Sequence, residues 1–497
     1  MIILIGLSLF FFSILVRSFA RLLQKDFGID TWYYLLYAEG FRKRRKLPVV
    51  IPYYLLDEDN QYYPPGFPIL LSFFSAGFLK KWHWLINPTI DSLQALLLYL
   101  FTYSISLDIK VSVFSALLYT SSPILITQSS NLNSRMFASL LLTCIVLSMN
   151  AFAQNAVPGY LFLSLLFGFV LSFSHKMTMQ QLVFLVIGFT ILTQNFLFCL
   201  IFALIIGVNF LIGRRFYLGL LRSHVQIIKF WSKNLPFLGL HSVYDSPLYS
   251  SRKKSSDAQC VKGLQGSRFL YSLEKIKIAG VFLLAMGLFF SKRYIHSYTL
   301  DIMFYWILIN YFTVFSTSYL PGFKNIGEGH KYLSYGIFPL SLFLSYFCFI
   351  IISPPYSYVT LLIILAMNMI VSIYIIKVQA KNSLAQIDKA LFYLFETIKN
   401  LSEARIMCLP FSKAEAVAYF TRKFVLFGGH SLGWDKLDDF WPIMKKPVEY
   451  FVDMYGISHI FIDSRYVNIT DLNLKVKYRL MATQGTYILL EIIKHDS

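Results

Sequence analysis

Residues 25–46 read KDFGIDTWYYLLYAEGFRKRRK and follow the apolar run MIILIGLSLFFFSILV that opens the chain. Two carboxylates, Asp26 and Asp30, therefore stand where a membrane-crossing helix meets water, ahead of an aromatic helical run and the basic block at 42–46. The plain reading of Asp30 is a solvated acid capping the next helix, since Asp is a good N-cap. The plain reading of the basic block is headgroup anchoring. Which side of the membrane these groups face decides how the rest of the chain is read.

Working outward, the composition is that of a polytopic membrane protein. Of 497 residues, 56% are hydrophobic and 14% charged, against about 25% charged in a soluble domain. The formal net charge of +19 belongs to loops and helix ends, where anionic lipid favours Lys and Arg, and this disfavours nucleic acid as the partner. The five cysteines are scattered without metal or disulfide spacing. The first apolar run lacks a basic n-region and a small-residue cleavage site, so it reads as a retained span.

Spans are expected near 1–19, 87–106, 111–127, 136–153, 159–174, 178–193, 195–212, 276–291, 299–316, 333–352 and 356–376, about eleven in all. The stretch PGFPILLSFFSAGF at 66–79 is apolar but short, opens on prolines and runs into LKKWHW. It reads as a helix lying in the membrane surface. With Met1 inside, the turns at 108–110 and 291–293 are then cytoplasmic. The long loops 20–86, 213–275 and 317–332, and everything after 377, fall on the far side. Making 66–79 a span reverses the middle loops and the C-terminal region.

After residue 377 the pattern changes. AQIDKALFYLFETIKNL and VEYFVDMYG read as amphipathic helices, while RIMCLPF, FVLFGG, SHIFIDS and TYILLEII read as strands. The expected organisation is thus a transmembrane region, 1–376, and an extracytoplasmic α/β domain, 377–497. That domain carries no Gly-rich phosphate loop and no clustered His or Cys. Its expected part is acceptor binding or packing on the loops. The sequon Asn468-Ile-Thr470 carries no weight alone.

Several motifs in this order resemble the GT-C membrane glycosyltransferases, which include the protein O-mannosyltransferases and the lipid A aminoarabinose transferases. They are the acid after the first span, the aromatic DTWYYLLYA helix, YPPGFP, SALLYTSSPILITQSSNLNSRMFASLLL, FVLSFSHKMTMQQL and EGHKYLSYGIFPLSLFL. The resemblance covers most of 1–376. It implies a polyprenyl-phosphate-sugar donor, a glycan, lipid or protein acceptor, and catalysis on the extracytoplasmic face of a bacterial, archaeal or endoplasmic-reticulum membrane. The catalytic acid maps to Asp30, eight residues before Ala38, with Asp26 next in line. Many relatives carry a second acid in the second external loop, where this chain has Asn131, Asn133, Ser134 and Arg135. Glu328 is the candidate to replace it, and the metal-bridged form of the site is left without its usual ligand.

The chemistry makes its own demands. Displacing a phosphate from an anomeric carbon needs a base on the attacking hydroxyl and cations aimed at the departing phosphate. His175, Lys176, His330, Lys331 and Arg135 stand at expected external helix ends, although ordinary interface residues look the same. The run Asp57-Glu58-Asp59 has the composition to hold a divalent metal, and the bland reading is a solvated loop. A transporter or flippase would show an internal repeat and polar residues at mid-span. No repeat is visible, and ionisable residues, Asp91 and Asp301 included, lie near expected span ends. A lipid-linked oligosaccharide polymerase or ligase of related fold is the nearer alternative.

Overall fold

The computed structural model describes the chain except residues 24–27, 57–61, 238–239, 250–296, 382–386, 429–433 and 494–497. Asp26, Asp57-Glu58-Asp59, Cys260, the expected span 276–291 and the turn at 291–293 lie outside the described residues.

The first ten helices are α1 (Ile2–Leu23), α2 (Asp30–Arg44), α3 (Gly66–Ser72), α4 (Ala76–Ser106), α5 (Ile109–Ser121), α6 (Pro123–Ser129), α7 (Arg135–Asn155), α8 (Pro158–Ser172), α9 (Lys176–Thr193) and α10 (Leu197–Asn234). Then come α11 (Tyr298–Tyr319), α12 (Ile337–Ile351) and α13 (Tyr356–Lys381), the helical turns Gly329–Tyr332 and Leu333–Gly336 leading into α12. Apolar segments become helices because lipid offers backbone groups no partner, so each must bond within its own segment. Among the described residues, seven helices or helix runs are long and apolar enough to cross a membrane, or eight if the bent pair α5–α6, 56° apart, is one span. The protein is a polytopic helical membrane protein.

Packing follows small residues and polar contacts, as expected without a hydrophobic drive between helices. Gly168 of α8 sits so close to Ile205 of α10 that a Cβ there would meet that side chain at 2.5 Å. Arg17 of α1 pairs with Asp91 of α4 at 2.5 Å, both fully buried. The Tyr119 hydroxyl donates to the other Asp91 oxygen at 2.7 Å, and Arg17 donates to the Tyr119 and Ser122 carbonyls at 2.8 and 3.2 Å. Arg17 stands near the end of the first apolar span, Ile2–Phe19, so Asp91 lies near a span end as the sequence indicates. Because α4 starts at Ala76, with LKKWHW in its first turns, Asp91 is a mid-helix residue.

The stretch 66–79 is not one surface helix. It divides into α3, seven residues and so about 10 Å long, and the start of α4, whose Ser75 cap accepts from the Phe78 amide at 3.1 Å. The expected loop from 213 also begins as helix. The chain breaks at Arg214 (φ 41°) and continues helical to Asn234.

Beyond the bundle, α14 (Lys389–Lys399), α15 (Ala414–Thr421) and α16 (Val448–Tyr455) accompany a five-stranded sheet. The strands β1 (Arg405–Leu409), β2 (Phe424–Val425), β3 (His459–Asp463), β4 (Tyr478–Gln484) and β5 (Tyr487–Ile492) lie in the order β2-β1-β3-β5-β4. β1 runs parallel to β2 and β3, whereas β5 pairs antiparallel with β3 and β4. The first loop joins this sheet. Val425 N–H donates to the Tyr53 carbonyl at 2.8 Å, and Leu55 and Leu56 amides donate to Val425 and Leu426 at 2.9 and 3.0 Å. Trp32 of α2 packs on Phe420 of α15, ring centres 4.7 Å apart. Asp438 accepts from Lys233 (2.5 Å), Asn234 (2.6 Å) and Lys445 (2.7 Å), tying the end of α10 to the same unit. The first loop, the end of α10 and the sheet therefore meet at one end of the bundle.

Candidate functional site

The start of α2 is built by its neighbours. Gly28 holds φ +110°, a conformation that glycine tolerates and side chains rarely adopt, and a Cβ there would strike the Asn131 side chain. Asn131 Oδ1 accepts from the Thr31 hydroxyl at 3.1 Å, and its carbonyl accepts from Asn87 Nδ2 at 2.6 Å. Arg21 donates to the Ser130 carbonyl at 2.9 Å. The loop at 130–134 thus packs on the helix that begins at Asp30. Ile29 occupies the cap position without a side-chain bond, so Asp30 is a first-turn residue and not the N-cap.

One turn on, buried Tyr34 shares hydrogen bonds with the Tyr63 hydroxyl (2.6 Å) and Ser134 Oγ (3.0 Å). Burial pushes the Tyr34 phenol up to about 12, with the Asp30 charge adding to the rise. Burial also raises Tyr63, which feels Asp30 as well. Both phenols are thereby held as neutral hydrogen-bonding groups beside the carboxylate.

Across Tyr63 opens a cavity of about 270 Å³, walled by Tyr63 and Pro64, the start of α9, the later turns of α10 and residues 324–331. His175, Lys176, His224, Lys324 and Lys331 line it, and among the described residues Glu328 is the carboxylate in the lining. Lys176 Nζ donates to Ser223 Oγ at 2.9 Å. Lys331 pairs with Glu328 at 2.5 Å. Burial pushes Glu328 up, but Lys331, His330 and Arg135 outweigh it and leave the carboxyl below its ordinary value. His175 caps α9 by accepting the Thr178 amide on Nδ1 at 3.3 Å. Burial, reinforced by Arg135, Lys331, His224 and Lys176, drives its imidazole well below the usual histidine range.

Of the sequence candidates, His175, Lys176, Lys331 and Glu328 come together in this cavity. Arg135 acts on His175 and Glu328 through its charge. His330 is not in the lining and reaches the group through Glu328 at 3.5 Å. Asp30 is half-buried and is likewise not in the lining, connecting through Tyr34 and Tyr63. Sequence reasoning missed His224, Lys324 and Tyr63. The signal for His224 was present, since helical spacing places Ile227, Ile228 and Trp231 on its face once α10 is continued past 213. Among the described residues no group of three or more His, Cys, Asp or Glu is arranged to hold a metal ion. The Asn131 side-chain oxygen is engaged by Thr31.

Neither a family model nor a curated protein sequence matches the chain. Solved structures do. The oligosaccharyltransferase of Archaeoglobus fulgidus in the apo form aligns with a TM-score of 0.58 at 13% identity, over 92% of this chain and 69% of that one. ArnT from Cupriavidus metallidurans bound to undecaprenyl phosphate aligns with a TM-score of 0.58 at 10% identity, over 97% of both chains. The archaeal oligosaccharyltransferase AglB from Archaeoglobus fulgidus, in complex with an inhibitory peptide and a dolichol-phosphate, gives 0.53 at 11% identity, over 92% and 69%. At such identities the likeness is one of fold, and the fold is GT-C.

Proposed function

We propose that the chain is an integral-membrane inverting glycosyltransferase. It moves a sugar from a polyprenyl-phosphate carrier to a lipid, polysaccharide or protein acceptor on the extracytoplasmic face. The observation that carries the reading is the cavity. Segments distant in sequence bring His175, Lys176 and Lys331 to one concave site whose described lining includes the Glu328 carboxylate, next to the Asp30 helix, in a chain of GT-C fold. Two of its structural neighbours were solved with undecaprenyl phosphate or dolichol-phosphate, which supports a lipid-phosphate donor.

In this reading the acceptor hydroxyl oxygen forms a bond to the anomeric carbon as the bond from that carbon to the phosphate oxygen breaks. The electron pair leaves with the carrier phosphate, and attack from the opposite face inverts the carbon. Asp30 takes the acceptor proton. Lys176, Lys331, Arg135 and His175 meet the dianion that forms. Glu328 holds Lys331 in place, which suits it less to act as a base. Asp26 is the alternative base. The further assignments are about eleven spans, with Met1 inside and the unit after 377 extracytoplasmic. A cysteine placed at Ser497 should then react with an impermeant reagent from the outside.

The direct test incubates the purified protein with a panel of polyprenyl-phosphate sugars and follows carrier-phosphate release. Release with at least one donor, reduced in Lys176→Ala, is expected. Neither release nor carrier binding across the panel overturns the reading.

A further inference from the structure

The turn between α3 and α4 leaves four large aromatic residues uncovered. Phe73 is 73% exposed, Phe74 36%, Phe78 40% and Trp82 36%. This corner is rigid. Ser75 caps α4, the rings of Phe74 and Phe78 stack at 5.1 Å, and Lys81 Nζ sits 5.3 Å from the Trp82 ring centre. The end of α2 is fastened to it. Arg42 Nε donates to the Ser72 carbonyl at 3.1 Å, and its terminal nitrogen donates to the Phe74 carbonyl at 2.6 Å. Residues 43–46, all basic, are exposed beside that attachment, and Lys80 and Lys81 stand on the corner itself. Neither 41–46 nor 73–82 contains an Asp or Glu. The nearest acid on α2, Glu39, is already shared between Lys43 (2.9 Å) and Arg422 (2.7 Å).

Aromatic side chains with exposed faces and cations at the same level are what a membrane–water boundary selects. A helix facing only acyl chains would not carry the lysines, and a face turned to water would not leave four large rings uncovered. Clustered Lys and Arg at that level attract anionic headgroups. From this juxtaposition we infer that the α3–α4 corner and the basic end of α2 form one docking surface for anionic phospholipid headgroups, selective over zwitterionic ones. The surface gathers negative lipid beside the mouth of the first loop, and the inference rests on the membrane character of the chain and not on the transfer reaction.

The test places the full chain in bilayers containing phospholipid brominated near the glycerol, with tryptophan fluorescence as the readout. The difference between the parent and Trp82→Phe isolates Trp82. At low salt, brominated phosphatidylglycerol should quench Trp82 about twofold more than the same fraction of brominated phosphatidylcholine. The excess should shrink at about 0.5 M salt, as screening predicts. It should vanish in a variant with Arg44, Arg45 and Lys46 all changed to Gln, and fall in the Lys80→Gln, Lys81→Gln pair. Equal quenching by the two lipids overturns the selectivity. No quenching by either means that the corner is covered by protein or turned to water, and overturns the surface itself.

Discussion

Two charged regions of this protein differ in their burial and in the closure of their charge. Arg17 and Asp91, deep in the bundle, form a pair with further bonds from Tyr119 and to the carbonyls of Tyr119 and Ser122. Among the described residues, the cavity beside α9 holds several basic groups against the carboxylate of Glu328. An intramembrane ion pair invites a functional reading by default, yet a closed network has little left to offer a ligand. The open one has charge to give to a phosphate. The lesson is that unbalanced charge, more than buried charge as such, is what a phosphate-binding site requires.

The largest effect should come from the group meant to move a proton. Asp30→Asn keeps the shape of the side chain and removes its basicity, so transfer should fall about 10²–10⁴-fold while thermal stability and carrier binding hold. Asp26→Asn should retain most activity. Full activity in Asp30→Asn would remove the proposed base.

Next is the closed network. Removing one partner of a buried pair leaves the other unpaired and typically costs about 3–5 kcal/mol. Asp91→Ala should therefore melt much earlier in detergent, whereas the double change Arg17→Met, Asp91→Leu should recover most of the loss. If Asp91→Ala instead folds normally and loses only transfer activity, the network is functional and the comparison collapses.

A smaller effect with the opposite signature is expected for Lys176→Ala. Losing one charge-assisted contact to phosphate costs about 1.5–3 kcal/mol of binding, roughly ten- to a hundredfold in carrier affinity. The protein should melt no lower than the parent, because the variant removes a half-buried side chain whose Nζ has Ser223 as its hydrogen-bond partner. Titration with polyprenyl phosphate alongside a melting curve separates the two readouts.

The sequence made the helices legible because apolar runs in lipid have few alternatives. Helix ends were less so. The LKKWHW run looked like the end of a surface helix, whereas it belongs to the first turns of α4. The bend at Ser122 was hidden because the apolar pattern continues through Pro123. In the site, His175, Lys176 and Lys331 could be expected together from the order of loops along the chain. Tyr63 could not be, since its contact with Tyr34 is made by tertiary packing. The same holds for the pairing of Arg17 with Asp91, which no periodicity encodes.

The subtlest expectation concerns pH and the open region alone. An unfolded histidine titrates near about 6.5, whereas folded His175 resists protonation because it is buried and faces Arg135, Lys331, His224 and Lys176. Below that value the unfolded chain takes up a proton that the folded cavity refuses. Stability attributable to His175 is therefore full above its unfolded value and declines as pH falls beneath it, by at most about 1.4 kcal/mol per pH unit. A bound phosphate dianion supplies the missing negative charge, raises the folded value and should flatten that slope. Melting curves between pH 5 and 8 for the parent and His175→Gln, with and without polyprenyl phosphate, isolate the contribution, since other carboxylates and histidines cancel in the difference. A slope present without carrier and reduced with it ties the imidazole to the phosphate. Superimposed parent and variant curves would mean that His175 titrates freely, and the cavity would lose one of the charges that set it apart from the closed pair at Arg17 and Asp91.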